Sequence, residues 1–205
     1  MRLNRLKQHI ATAAVAAGFA SAASAGIITW NINAAVPASL DGLYIKIDTQ
    51  QATTAAGSTL AGWDINPYGS TSLSFYATAT APNPATTYVR TQASGGPSSL
   101  AGGTVIGASS PFANSTSAVI SLAGVGANGW TLNSVNYFGF RFHNNTTNAI
   151  NYGYGIMQVG ASATSRTLLS LVYGDAGESV TIIPGPGALA LLGLACLAAR
   201  RGRRA

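Results

Sequence analysis

The sequence predicts an all-β protein: an antiparallel, jelly-roll-like β-sandwich between an N-terminal signal peptide and a C-terminal apolar helix. Apolar and polar residues alternate in several runs of the middle segment, and clusters of Gly, Pro and Asn separate these runs. No part of this segment shows the 3.6-residue period of an amphipathic helix. About ten or eleven short strands joined by turns are typical of a sandwich or jelly roll.

The basic residues of the chain are concentrated at its two ends. The 205 residues carry a formal net charge of +6. Three basic residues lie among the first ten and four among the last six, whereas the middle segment has four basic and five acidic residues. A basic protein often binds nucleic acid, but a middle segment of net charge −1 lacks the required basic patch. We therefore expect no nucleic-acid partner.

The N-terminal residues 1–25 have the three parts of a secretory signal peptide. Met1–His9 is basic, Ile10–Ala22 is a short Ala-rich apolar run, and Ala23-Ser24-Ala25 has the small-x-small form that signal peptidase recognises. Cleavage is expected before Gly26. The alternative is a membrane anchor, but the apolar run is shorter than the roughly 20 residues that a span needs.

The middle segment, residues 26–181, is predicted to be the β-sandwich domain. Alternation places one apolar face inward on each strand, as in half-buried antiparallel strands. The clearest runs have apolar residues at Ile28, Trp30 and Ile32; at Leu43, Ile45 and Ile47; at Leu73, Phe75, Ala77 and Ala79; and at Phe138, Phe140 and Phe142. Further candidate strands are residues 87–91, 104–108, 118–122, 129–132, 152–159, 167–173 and 179–183. Residues 50–62 and 94–103 are predicted as loops, and Asn66-Pro67 as a turn.

The C-terminal residues 182–205 have an organisation of their own. Pro184-Gly185-Pro186-Gly187 precedes the apolar run Ala188–Ala199, and a cluster of arginines, Arg200, Arg201, Arg203 and Arg204, follows. Ala and Leu favour a helix, and twelve helical residues span about 18 Å, well short of a ~30 Å hydrocarbon core. Such a helix is suited to a transient membrane anchor, with the arginines as the cytoplasmic stop signal. An ordinary tail anchor is the alternative.

This tail resembles the PEP-CTERM sorting signal of Gram-negative bacteria, a domain also labelled the C-terminal domain of ice-binding proteins. The resemblance rests on Pro184, Gly185, Pro186, Gly187 and the apolar and arginine segments after them. It implies that an exosortase-type membrane protease recognises the motif and removes the helix. It also implies a destination at the cell surface or in an exopolysaccharide-rich biofilm matrix. Gly185 departs from the family, whose name implies Glu there.

A second resemblance concerns the fold. Tyr137-Phe138-Gly139-Phe140-Arg141-Phe142, followed by Tyr152-Gly153-Tyr154-Gly155, is similar to a strand pair found near the end of many secreted PEP-CTERM proteins. The physical reading is that the three Phe form one buried stripe. The glycines would let a neighbouring aromatic ring cover the strand. We expect core packing there rather than a ligand platform.

The middle segment is poorly equipped for catalysis or metal binding. His143 is its one histidine, and no Gly-x-Ser-x-Gly elbow accompanies it, so a solvated strand-end histidine is the better interpretation. Five carboxylates are few for a glycoside hydrolase, and Asp175 and Glu178 occupy a predicted turn. No cysteine cluster, histidine pair or calcium loop occurs. We expect no catalytic residue, no metal and no cofactor, although calcium held by backbone carbonyls stays open.

Carbohydrate binding is the remaining possibility for a site. Trp63 and Trp130 each follow a glycine near a predicted loop and are candidates for stacking on sugar rings, although packing within the fold is the favoured role of each; Trp30 is expected in the core. The sequence has no repeated Thr-x-Thr array of the kind that a flat ice-binding surface would need.

Three functions follow from these observations. The first is a secreted, non-enzymatic surface or extracellular-matrix protein that is exported and then processed at its tail. The second is an extracellular carbohydrate-binding module associated with exopolysaccharide. The third, least supported, is a hydrolase whose few carboxylates converge in a cleft. Trp63 and Trp130 side by side and exposed would favour the second function, and two carboxyl groups about 5–10 Å apart in a groove would favour the third.

Overall fold

The computed structural model describes residues 26–55, 59–77, 86–89, 96–114, 118–121 and 128–184. These residues form β-strands, turns and loops, with no α-helix among them. The strands, in chain order, are β1 (Ile28–Trp30), β2 (Ala34–Ala35), β3 (Tyr44–Lys46), β4 (Gln51–Thr53), β5 (Ile65–Tyr68), β6 (Ser72–Ala77), β7 (Thr87–Val89), β8 (Val105–Ile106), β9 (Phe112–Ala113), β10 (Ala118–Ser121), β11 (Ser134–Asn144), β12 (Ala149–Val159), β13 (Arg166–Tyr173) and β14 (Val180–Thr181).

Every strand pairing described is antiparallel, which confirms the predicted all-β class. The larger sheet has the order β1-β13-β12-β11-β7-β9, with β2 also paired to β13. The smaller sheet has the order β10-β6-β5-β3-β4, and β8 and β14 form a two-stranded ribbon. Buried residues of the two larger sheets share one apolar core, an arrangement consistent with a β-sandwich.

Aromatic rings fill that core. Phe138, Phe140 and Phe142, on alternate positions of β11, are fully buried. From the smaller sheet, Phe75 meets Phe138 at 5.0 Å between ring centroids and meets Tyr88 at 5.3 Å. Rings at these separations attract one another beyond their burial of apolar area. The predicted phenylalanine stripe is therefore confirmed as core.

The glycines of β12 make room for this stripe. Gly155 lies opposite Phe138 and Gly153 opposite Phe140 in the β11–β12 ladder. A Cβ on Gly155 would collide with the Phe138 ring, and one on Gly153 would lie 2.8 Å from Phe140 Cζ. Each phenylalanine thus covers a glycine on the neighbouring strand, as the sequence predicted.

The opposite face of the larger sheet is also covered. A second apolar cluster there joins Tyr152 and Tyr154 of β12 to Ile106 of β8 and Val180 of β14. The chain remains part of this fold beyond β14, because Ile182 N donates to Thr104 O and its own carbonyl accepts from Gly103 N, both at 2.9 Å. The folded part therefore includes Ile182, one residue past the predicted domain boundary.

Four short strands were not predicted, and one predicted strand is wrong. β2, β4, β5 and β9 were missed, and β4 lies inside the predicted loop 50–62. Residues 129–132, predicted as a strand, form turns instead. There Gly129 has a φ of +80° and Asn128 a φ of +58°, values that an extended strand does not allow.

The strand β5 contradicts the predicted turn at Asn66-Pro67. The Pro67 carbonyl accepts from Leu43 N at 3.0 Å, so the side of Pro67 that lacks an N–H faces the β3 segment. The pairing of β5 with β3 consists of a single residue pair, Ile45 with Ile65. Proline therefore costs the ladder little at this position.

The first predicted strand is less buried than its alternation indicated. Ile28 is 37% exposed, whereas Trp30 and Ile32 are partly buried and pack against the core. Within the described part of the chain, β1 pairs only with β13 and lies at the edge of the larger sheet. An edge strand of three residues has little apolar surface to pack against, which explains the exposure of Ile28.

Arg166 joins segments that lie far apart in the sequence. The residue is 4% exposed, and its guanidinium donates to five backbone carbonyls, those of Val36, Pro37, Gly69, Ser72 and Ala163. Burial lowers the pKa of Arg166 to about 10, which leaves it charged at neutral pH. The side chain therefore ties β13 to the β5–β6 turn of the other sheet.

Candidate functional site

The two tryptophans proposed for sugar stacking lie in different environments. Trp130 is 3% exposed, contacts Phe75 at 5.4 Å and Phe138 at 6.2 Å, and donates its indole N–H to Pro97 O at 2.7 Å. The stacking interpretation of Trp130 is therefore wrong and the packing interpretation holds: the ring is part of the aromatic core, and its indole N–H is hydrogen-bonded inside the protein. Trp63, by contrast, is partly exposed.

Trp63 belongs to a group of aromatic residues on the smaller sheet. Its ring centroid lies 5.1 Å from that of Tyr44 and 5.7 Å from that of Tyr76. Tyr44 is partly exposed and Tyr76 is 40% exposed. We call these three residues the aromatic ridge.

The strand register places the ridge on the outer face of the sheet. Ile45, Ile65 and Ala77 lie side by side across β3, β5 and β6, and all three are buried in the core. Because side chains alternate along a strand, Tyr44 and Tyr76 point to the opposite face. The ridge is thus directed away from the core.

Asp64 fixes the turn that carries Trp63. The backbone N–H of Asp64 donates to Ile45 O at 2.7 Å, and its Oδ2 accepts from Ile47 N at 2.7 Å. Trp63 N in turn donates to Leu60 O at 3.3 Å. The turn is therefore attached to β3, and its tryptophan lies beside Tyr44.

The rings of the ridge are not coplanar. Trp63 makes an angle of 64° with Tyr44 and of 51° with Tyr76. A ligand that touches all three rings must follow this change of direction. The ridge is therefore poorly matched to a flat surface such as a crystal lattice.

Polar groups surround the ridge. The Tyr44 hydroxyl donates to Asp41 Oδ1 at 3.2 Å, and Asn66 Nδ2 donates to Asp41 O at 2.6 Å. Lys46 lies on the same face as Tyr44, with its Nζ beside Gly62, where a Cβ would be 3.7 Å away. One carboxylate, one ammonium and aromatic rings thus share one surface.

Tyr68 is a neighbour of this surface. In the β5–β6 ladder it lies opposite Ser74, two positions from Tyr76, and on the same outer face. Burial raises the pKa of Tyr68, and the nearby Tyr76 hydroxyl adds to the rise. The Tyr68 hydroxyl therefore stays protonated at neutral pH.

Asp64, Asp175 and Glu178 differ in their access to solvent. Asp64 is 1% exposed, and burial raises its pKa to about 7, with the neighbouring Asp48 carboxylate adding to the rise. Asp175 and Glu178 are exposed in the predicted turn, where Glu178 N donates to Asp175 O at 3.0 Å. A hydrolase needs two carboxyl groups that both reach the substrate. That the chain is not an enzyme stays a prediction.

His143 is the one histidine of the described residues. His143 lies near the end of β11, and its Nδ1 is 3.2 Å from Asn145 Oδ1, which confirms the strand-end position. Among the described residues, no three His, Cys, Asp or Glu side chains form a group that could hold a metal ion. The absence of metals and cofactors stays a prediction.

Most residues of the two terminal signals lie outside the described residues. This applies to Ala23 and Ala25, to Gly185, Pro186 and Gly187, and to Arg200, Arg201, Arg203 and Arg204. Gly26 and Pro184 are described. Gly26 N donates to Asp175 Oδ2 at 2.9 Å, and Pro184 packs beside Gly102. In the described part of the chain, no helix has the length and apolarity needed to cross a membrane.

Sequence reasoning missed Tyr44 and Tyr76 as partners of Trp63. The available signal was their alternation with Leu43, Ile45 and Phe75, which directs both tyrosines outward. Their proximity to Trp63 depends on strand order, which the alternation does not reveal.

Comparison with protein-family models, curated proteins and solved structures finds no match for this chain.

Replacing Asp64 with Asn should flatten the dependence of stability on pH. Folding raises the pKa of this carboxyl from 3.8 to about 7. Between these values the folded state retains a proton that the unfolded chain releases, so stability falls as the pH rises through this window. Urea denaturation at pH 4.5 and at pH 7.5 should show a smaller difference for Asp64→Asn than for the wild type. Glu178→Gln, in an exposed turn, is the control, and an equal pH dependence for Asp64→Asn and the wild type would contradict the assignment.

Proposed function

We propose that this chain is an exported, non-enzymatic protein of the cell surface or extracellular matrix that binds polysaccharide through the aromatic ridge. The observation that carries the proposal is the contact of Trp63 with both Tyr44 and Tyr76 on the outer face of the smaller sheet. Aromatic rings in a folded core bury both faces, whereas these rings remain partly open to solvent.

Carbohydrate is the ligand class that best fits such a surface. A sugar ring has an apolar face of C–H groups and a rim of hydroxyls. Tyr and Trp offer an apolar ring with a polar end, so they can stack on the first and hydrogen-bond to the second. Asp41 and Lys46 lie beside the ridge and carry groups that hydrogen-bond to hydroxyls.

The ring angles favour one kind of polysaccharide. Because neighbouring rings are tilted by 51° and 64°, successive sugars must turn to stack on them. A single, twisted and soluble chain can do this, whereas a flat crystalline polymer or an ice surface cannot. We propose a soluble exopolysaccharide as the partner.

The export part of the proposal comes from the terminal segments. Residues 1–25 form a signal peptide for signal peptidase, and residues 182–205 are a PEP-CTERM-like sorting signal for an exosortase-type protease. Between them lies a β-sandwich of jelly-roll type. The C-terminal helix holds the protein at the inner membrane only until processing, and the mature protein then remains at the cell surface or in the matrix.

Replacing Trp63 with Ala should weaken binding of the soluble exopolysaccharide at least about tenfold, because a central aromatic residue often carries more than 1.4 kcal/mol of binding energy.

Tyr76→Phe should bind nearly as well as the wild type, since it keeps the ring, whereas Tyr76→Ala should lose affinity. Titration calorimetry with the purified polysaccharide gives the dissociation constants.

The matched control for these variants is Tyr137→Ala. Tyr137 is also partly buried, but it packs against the second apolar cluster on the far face of the larger sheet. It should therefore lose stability without losing affinity. Equal affinities for the wild type and Trp63→Ala would overturn the assignment of the ridge.

Intact-mass measurement tests the export proposal separately. The released protein should begin at Gly26 and lack Arg200–Ala205, because signal peptidase and the sorting protease each remove one end. A released protein that retains its arginines would contradict processing at the tail, whatever the outcome of the binding experiment.

A further inference from the structure

Gly26 makes a long-range contact at the predicted cleavage site. Its backbone nitrogen donates to Asp175 Oδ2 at 2.9 Å, across 149 positions of sequence. Asp175 lies in the turn after β13, the strand to which β1 is paired. The residue expected to begin the mature chain is therefore bound by a carboxylate.

The geometry favours glycine at this position. A Cβ on residue 26 would lie 2.7 Å from Asp175 Oδ2, closer than real Cβ contacts, and 3.1 Å from its Oδ1, closer than most. The carboxylate would have to shift to accommodate a larger residue. The small residue that follows the cleavage site thus also serves the contact with Asp175.

Cleavage would change the charge of the donor. Hydrolysis of the Ala25–Gly26 bond adds the hydroxyl of water to the Ala25 carbonyl and leaves an amine on Gly26. A free α-amino group has an ordinary pKa of about 7.7–8.0, so it is mostly an ammonium at neutral pH. The neutral amide N–H of Gly26 that faces the Asp175 carboxylate would become an ammonium group. A hydrogen bond between two charged groups is stronger than one that involves a neutral donor.

We propose that removal of the signal peptide creates an ammonium group on Gly26 that Asp175 binds as an ion pair, fastening the edge strand β1 to the domain. The inference rests on the proposed export of the chain. β1 has three residues and, among the described strands, pairs only with β13, so its first residue would otherwise fray. The ion pair thus stabilises the mature protein in a way that the precursor cannot match.

The experiment uses protein exported by a host that processes it, with Gly26 first verified as the N-terminus by mass spectrometry. NMR titration then follows the Gly26 Cα signal to give the pKa of the α-amino group. Hydrogen exchange of the β1 amides reports fraying. Asp175→Asn removes the partner charge, and Glu178→Gln, in the same exposed turn, removes an equal charge that does not contact Gly26 in this structure.

In the wild type and in Glu178→Gln, the pKa of the Gly26 amine should lie above its ordinary range. Asp175→Asn should return it to that range and speed exchange of the β1 amides about two- to fivefold, the effect of a surface ion pair. Equal amine pKa values in the wild type and Asp175→Asn would overturn the ion pair. A different N-terminus would instead overturn the proposed cleavage site.

Discussion

The insertion of Phe75 between the two sheets is the interaction on which the rest of the structure depends. From the smaller sheet its ring reaches Phe138 and Tyr88 of the larger sheet, and it also contacts Trp130. Since side chains alternate along β6, burial of Phe75 obliges Tyr76 to face outward. The Tyr88 hydroxyl also donates to the Tyr76 carbonyl at 2.6 Å. The core thus positions one member of the aromatic ridge.

Two buried polar side chains position the irregular segments around this core. Asp64 attaches the Trp63 turn to β3, and Arg166 ties the β5–β6 turn to β13. Asp64 accepts from the backbone N–H of Ile47, and Arg166 donates to five backbone carbonyls. Buried backbone groups left without a partner would be costly. Burial of the Asp64 carboxyl raises its pKa and is unfavourable for its charged form. The same buried carboxyl attaches the turn that holds Trp63 beside Tyr44.

Alternation in the sequence was sufficient to predict the strands that form the core, including the Phe138 stripe with its facing glycines. It was not sufficient for β5. Pro67 indicates a turn, and only the structure shows that Pro67 bonds Leu43, just outside the start of β3, where a missing N–H costs little. Glycine before tryptophan gave the same signal for Trp63 and Trp130, yet one lies on the outer face and the other in the core. That difference, like the meeting of Trp63 with Tyr44 and Tyr76, depends on contacts between distant strands.

The three tryptophans allow a direct test of the claim that the outer face of the smaller sheet binds polysaccharide. Their indole N–H groups should give separate NMR signals, because Trp130 is buried in the core, Trp30 lies at the edge strand and Trp63 lies on the aromatic ridge. Adding soluble exopolysaccharide should shift the Trp63 signal in a saturable way and leave that of Trp130 in place. A bound polysaccharide that leaves the Trp63 signal unmoved would contradict the account.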